Sequence, residues 1–272
     1  MLSLVLSILC SVLIANLLMG FNHRGRLSML PIFLGNYLVA GIFSYASLPA
    51  ARFAGLPVFD IAFGIVTGAL FLANFWVYQR SIVINGLSLS VGVMRIAMII
   101  PILLALVAFK EGLNPWNVMG IVLGIAAFSL KANPGELRNL LWIIGLFLIS
   151  GITDATLKVY KELGSGAEPA FVFIIFSSAF FFTLLAILLG RIPVSLKSIL
   201  LGCVLGIPNR YSTVFFLKGL DSVPAAIAYP LVAVSIVLLS ILSDVAIWKK
   251  QPQRRDYLLW LLLVLSLLLL NL

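Results

Sequence analysis

GLSLSVGVMRIAMIIPILLALVAFKEGLNPWNVMGIVLGIAAFSL, residues 86–130, holds three charged side chains, Arg95, Lys110 and Glu111. Two of them sit side by side, and apolar runs over 87–109 and 115–130 flank the pair. A helical crossing of a hydrocarbon core roughly 30 Å thick needs about 20 such residues. The stretch therefore reads as two consecutive membrane spans joined by a short connection marked by Gly112 and Pro115. The remainder of the chain repeats the pattern. Of its 272 residues, 62% are hydrophobic and 10% charged, and the mean hydropathy is +1.19. A soluble domain is about 25% charged, so this chain lacks the polar side chains to clothe a globule in water. The same composition excludes a disordered chain, a coiled coil and a disulfide-stapled module. Cys10 and Cys203 both lie in apolar runs, which gives neither a disulfide framework nor a metal-ligand spacing.

Outward from 86–130, further spans are expected near 2–20, 29–48 and 57–78 on one side, and near 139–160, 169–189, 197–218, 223–247 and 256–271 on the other. The weakest break is Gln79–Asn85, where Asn85-Gly86 supplies a turn signal. Ten spans consume roughly 200 residues and leave no room for a soluble catalytic domain. The charged, Pro/Gly-bearing connection Lys131–Arg138 divides them five and five, giving halves 1–134 and 135–272. Because five is odd, the second half enters the membrane from the opposite side. Gly64-x-x-x-Gly68 marks the third span of the first half and Gly202-x-x-x-Gly206 the third of the second; Gly120-x-x-x-Gly124 has no counterpart. Small residues at this spacing let helix backbones approach closely. The expected fold is an all-α membrane protein of ten transmembrane helices forming two inverted five-helix repeats. Many secondary transporters share this architecture, with the substrate site at the repeat interface.

The net charge is +9. In a soluble protein this would suggest nucleic acid as a partner, but here the cations occupy short loops, as the positive-inside rule requires. Connections after odd-numbered spans carry eleven of the 18 Lys and Arg residues, among them Arg24, Arg26, Arg138, Arg191 and Lys250. The opposite face carries five: Arg52, Lys110, Lys158, Lys161 and Lys218. This asymmetry places the first face in the cytoplasm and both termini outside a bacterial inner membrane. No Lys or Arg precedes the first apolar run, which reads as a retained span rather than a cleaved signal. The cations in 249–255 read as a stop-transfer anchor, or alternatively as contacts for anionic headgroups.

Residues 86–130 resemble the end of an EamA-type repeat of the drug/metabolite transporter superfamily: an apolar span with Pro101, Lys110-Glu111 at its end, then a short Gly-bearing span. Gly206-Ile-Pro-Asn209 and Ala228-Tyr229-Pro230 extend the similarity into the second half, while Ser243-Asp244 and a basic insertion depart from the usual Gly-Glu. The resemblance implies a ten-helix inverted-repeat carrier with a central cavity between the halves. Its substrate class stays open among amino acids, nucleotide sugars, metabolites and drugs. It also implies cytoplasmic termini, against the charge count, so both orientations stand.

Polar residues inside spans are expensive and functional by default. Asp154 and Arg210 lie about 9 and 12 Å from the non-basic face at 1.5 Å per residue, so they are expected to pair or to share a cavity wall. Lys158, one turn beyond Asp154, competes for the same carboxylate, or forms a helix-end pair with it and reaches the surface. Arg95 lies about 12 Å from the basic face with no acid at matching depth. It is suited to a planar anion such as carboxylate or phosphate, or else bonds Asp244 and backbone carbonyls at a helix break; Asn36 matches it in depth. Pro208 frees a backbone carbonyl beside Asn209, and Pro101 and Pro230 are candidate kinks or gates. Asn36, Asn74, Tyr78 and Tyr229 complete the candidate substrate-binding set, with Asn16 and Tyr37 as further polar positions.

The single histidine, His23, lies in a loop beside Arg24 and Arg26. No catalytic constellation, nucleotide fingerprint, cofactor or metal motif is present, so no enzyme is expected. The expected function is a secondary-active transporter or exporter of a small anionic or zwitterionic metabolite working by alternating access. Asp154, with Lys158 beside it, is the candidate proton-coupling group. The partners are then a small-molecule substrate, protons and membrane lipids, without nucleic acid, in a monomer or homodimer. Alternatives are an exporter of amphipathic cations or drugs, a flippase for a lipid-linked intermediate, and a membrane sensor or scaffold.

Overall fold

The computed structural model describes residues 1–22, 28–49, 55–85, 87–131, 138–249, 251 and 254–272. His23, Arg24, Arg26, Arg52, Gly86 and Lys250 lie outside the described residues, as do 132–137 at the division between the sequence halves.

The described elements are all helices: α1 (Leu2–Asn22), α2 (Met29–Ala46), α3 (Val58–Asn85), α4 (Leu87–Ile96), α5 (Ile99–Val107), α6 (Pro115–Lys131), α7 (Leu140–Leu163), α8 (Glu168–Leu189), α9 (Leu196–Gly219), α10 (Ala225–Ala246) and α11 (Arg254–Leu270). Eight helical stretches are long and apolar enough to cross a membrane, and Pro115–Leu130 and Asp256–Leu270 are shorter apolar helices. The chain is an all-helical, multi-pass membrane protein.

The span expected over 87–109 is two helices. Pro101 has no N–H to give the Ala97 carbonyl four residues back, and its ring crowds that carbonyl. The chain tightens there into three-residue turns, with Met98 N–H donating to the Arg95 carbonyl (3.3 Å) and Ile100 N–H to the Ala97 carbonyl (3.0 Å). By contrast, α9 continues through Pro208 and α10 through Pro230.

The helices form two compact units, each drawing on both halves of the sequence. The first, the α2/α9 unit, comprises Leu2–Leu72 and Val159–Lys218. In it Gly202 and Gly206 of α9 lie on the backbone of α2, where a Cβ on Gly206 would come within 2.5 Å of the Asn36 carbonyl oxygen. Gly64 and Gly68 of α3 lie on α8 in the same manner, a Cβ on Gly68 falling 2.6 Å from the Ile175 carbonyl oxygen. Small residues thus serve close helix packing at both motifs, as dispersion-driven association in lipid demands. Serine hydroxyls join α1 to α9, with Ser11 Oγ and Ser212 Oγ 2.7 Å apart.

The second, the α6/α10 unit, comprises Ala73–Lys158 and Gly219–Leu272, with Met1. Here α6 packs on α11, α10 packs on α5 and α11, and α4 packs on α6. Ser266 Oγ of α11 donates to the Gly120 carbonyl at 2.6 Å. The end of α3 is tied to the start of α7, where Asn85 Oδ1 accepts the backbone N–H groups of Arg138 (3.0 Å) and Asn139 (2.8 Å).

Candidate functional site

The break between α4 and α5 positions the charged residues of the α6/α10 unit. Gly151 of α7 faces it directly: a Cβ there would come within 2.7 Å of the Ala97 carbonyl oxygen and of Ile100 Cβ. Asp154, three residues further along α7, shares that face, and Arg95 occupies the last turn of α4, just before the break. The opposite charges of Arg95 and Asp154 act on one another, although no direct ion pair joins them. Arg95 Nε is buried without a hydrogen-bond partner. Tyr78 of α3 lies within the field of Arg95 and Tyr229 of α10 within that of Asp154. The Tyr229 hydroxyl donates to the Asp154 backbone carbonyl at 2.6 Å. Nearby on the same helix, Ser150 Oγ donates to Asn74 Oδ1 at 2.7 Å. Four expected residues from four helices, Arg95, Asp154, Tyr78 and Tyr229, therefore meet in one unit.

Two expected pairings are corrected. The acid that acts on Arg95 is Asp154 rather than Asp244. Lys158 forms an ion pair with Glu111, Nζ to Oε1 2.5 Å, with side chains 6% and 13% exposed. Its ammonium also lies 5.1 Å from the centre of the Phe109 ring. A direct carboxylate partner and an aromatic face hold a buried ammonium better than a neighbour on its own helix that answers to a different cation.

Glu111 has a second task. Its carboxylate accepts the backbone N–H groups of Ala225 (3.1 Å) and Ala226 (2.8 Å), which capture two orphan donors at the start of α10. Burial pushes the Glu111 carboxyl upward, but the Ala226 amide, the Lys158 ammonium and the Ala225 amide outweigh it and hold the group below the usual carboxylate range. A Glu so close to a span end marks it in the sequence; that it caps a helix 114 residues away does not show there.

In the α2/α9 unit, Arg210, expected to pair or share a cavity wall with Asp154, is held by serine hydroxyls. Its Nη2 donates to Ser47 Oγ at 2.6 Å and its Nε to Ser44 Oγ at 3.4 Å, and the Tyr211 ring lies 4.6 Å from the guanidinium carbon. Asn209 Nδ2 donates to Asn36 Oδ1 at 3.2 Å, and the fully buried Asn36 keeps an unpartnered Nδ2. Thr213 Oγ1 donates to the Asn209 carbonyl at 3.3 Å. Asn16 bonds within its own helix, to the Val12 carbonyl, and Tyr37 packs between Phe33 and Phe176.

Asp60, the only acid in the first turn of α3, joins the buried polar groups of the α2/α9 unit without standing among the expected positions. It is 1% exposed and accepts the Tyr160 hydroxyl at 3.1 Å and the Ser165 hydroxyl at 2.5 Å. An acid in the first turn of a helix favours the dipole, a signal the sequence does carry. Among the described residues no group of three or more His, Cys, Asp or Glu side chains is placed to hold a metal ion.

No known family model matches the chain. An uncharacterized protein of Haemophilus influenzae is 27% identical over 281 residues, covering 97% of this chain and 94% of that protein. A protein of known crystal structure superposes with a TM-score of 0.80 at 16% identity, over 99% of this chain and 98% of that one. The chain thus shares its whole fold with a solved structure and nearly its whole length with a bacterial relative.

Proposed function

We propose that the protein is a secondary transporter of a small anionic or zwitterionic metabolite, working by alternating access and coupled to protons at Asp154. One observation carries the proposal: Arg95, in the last turn of α4, keeps a buried guanidinium N–H without a hydrogen-bond partner, and its charge and that of Asp154 act on one another. A structural ion pair would saturate its donors, since breaking or starving a buried charge costs several kcal/mol. Here a cargo anion at Arg95 and the negative charge of Asp154 compete for the same field. Protonating Asp154 therefore favours the anion, and by linkage the bound anion favours the proton. Tyr78 and Tyr229 supply hydroxyls at the rim of the same pair, and Asn74 lies close by. Nothing in this chemistry needs a cofactor, a nucleotide or a covalent intermediate.

The finer architecture belongs to the same proposal: ten crossings in two inverted five-helix repeats, in the manner of the EamA-type resemblance. Helix pairing supports it. The Gly motif of the third span packs on the seventh, and that of the eighth packs on the second; adding five to each number exchanges the two pairs. Likewise α4 on α6 corresponds to α10 on α11. The helix α6 has 17 residues, about 25 Å, at the short end of what spans a bilayer. It starts beside the loop that caps α10 and ends beside the loop tied to α3.

The test is uptake by full-length protein in proteoliposomes with an imposed pH gradient, screened over amino acids and organic anions. Arg95→Gln is expected to weaken apparent affinity at least tenfold, as loss of a charge-assisted contact does. Asp154→Asn is expected to abolish dependence on the pH gradient while exchange persists. Transport untouched by either substitution rejects the reading.

A further inference from the structure

A second buried cation lies outside that centre. Arg210 is 6% exposed, and its polar contacts are two neutral serine hydroxyls and one tyrosine ring. No carboxylate lies within ion-pair distance among the described residues. In its own unit Asp60 is taken by Tyr160 and Ser165, and Glu168 by Lys161. Ser44 and Ser47 close the last turn of α2, whose dipole offers about half a negative charge. That leaves a buried guanidinium only part compensated, a costly arrangement unless something else completes it.

The hydrogen bonds say what is missing. A guanidinium presents two forked edges, Nε with one terminal nitrogen and the two terminal nitrogens together. Ser44 and Ser47 hold the Nε/Nη2 edge, and the Tyr211 ring covers one face, so the plane is fixed. The Nη1/Nη2 edge stays open: among the described residues Nη1 has no hydrogen-bond partner, and it is not among the sealed orphan donors. We infer that this edge is a binding site for the carboxylate of a monoanionic small molecule, gripped by two parallel N–H···O bonds. A planar carboxylate matches the fork and one negative charge matches one cation. A phosphate at about −1.5 to −2 brings more charge than the site answers.

The site is built within the α2/α9 unit and does not rest on the transport reading. It is tested by binding, with full-length protein in nanodiscs at fixed ionic strength. Butyrate, decanoate and inorganic phosphate are titrated while thermal unfolding and heats of binding are followed. Butyrate should stabilise the wild type saturably. Arg210→Gln and Arg210→Lys should each weaken it about tenfold or more, the lysine because charge without the fork is insufficient. Ser47→Ala, which keeps the charge and loosens only the fork, should weaken it a few-fold, and Arg95→Gln should leave it unchanged. Decanoate binding without butyrate binding, still lost in Arg210→Gln, keeps the site and assigns its carboxylate to a fatty acid from the lipid side. The inference falls if no carboxylate binds, if Arg210→Lys binds as well as wild type, or if phosphate binds as tightly as butyrate. Loss of transport with this binding intact would reject the proposed function and leave the site standing.

Discussion

Glu111 performs two electrostatic tasks with one carboxylate, and both can be removed separately. Lys158→Met strips its cation and leaves a buried carboxylate with only the α10 amides; unfolding free energy should fall by about 3 kcal/mol, read by denaturation in detergent. Glu111→Gln should cost a similar amount by orphaning Lys158 and weakening the cap at Ala225 and Ala226. The pH dependence has a definite sign. Because the folded-state carboxyl is held below its ordinary value of 4.5, its stabilisation is complete above that value and is lost as pH falls through the folded-state value. Wild-type melting should therefore decline on an acid limb beginning near pH 4.5 that Glu111→Gln flattens; an acid limb unchanged in the variant would show that Glu111 is not its source. The sequence makes these residues visible but not their partners. Depth follows from counting 1.5 Å per residue, which marked Arg95, Asp154, Lys158 and Arg210 as intramembrane charges. Pairing depends on the angle each helix presents to its neighbours, which no count along one helix contains. Hence Arg210 met serines and Lys158 met Glu111, while Asp154 lies in the field of Arg95.

At the scale of helices, three prolines had equal standing in the sequence and only one divides its span. Pro101 lies four residues after Ala97, where the chain has Gly151 of α7 against the Ala97 carbonyl; the break and the close approach occupy the same place. At Pro208 and Pro230 the helices continue. The Gly motifs were legible because small residues four apart have one main use in lipid; Gly151, a lone glycine, carried no such signal. Two substitutions on α7 separate the cases. Gly151→Val puts a branched side chain against backbone that cannot yield, and should cost about 1–3 kcal/mol and displace Asp154 from Arg95, with the pH-gradient response of uptake lost alongside. Gly145→Ala meets nothing nearer than Val77 at 4.0 Å and should stabilise the helix by about 0.5–1 kcal/mol. Equal melting temperatures for the two variants would contradict the packing at the break.

For the molecule as a whole, the sequence halves and the compact units divide the chain differently. The halves follow chain order, whereas each unit gathers helices from both. Periodicity and span length could suggest where the helices lie, but which helices gather into one unit is a matter of long-range contact and left no mark on composition. The number of crossings now turns on α6 and α11, the two short helices. In a ten-span chain Gly112 and Ser222 share one side of the membrane, while Arg138 and Val194 share the other. The Glu111 contact with Ala225 agrees with the first grouping. If α6 lies along the membrane instead, Gly112 and Arg138 emerge on the same side. Single cysteines at these four positions, in a chain whose Cys10 and Cys203 are replaced by alanine, distinguish the cases by labelling of intact cells with an impermeant maleimide. The expected result is Gly112→Cys and Ser222→Cys reacting as one class, with Arg138→Cys and Val194→Cys as the other. The same labelling orients the chain, because the excess of lysine and arginine predicts that the Arg138 class faces the cytoplasm, whereas cytoplasmic termini would put the Gly112 class there.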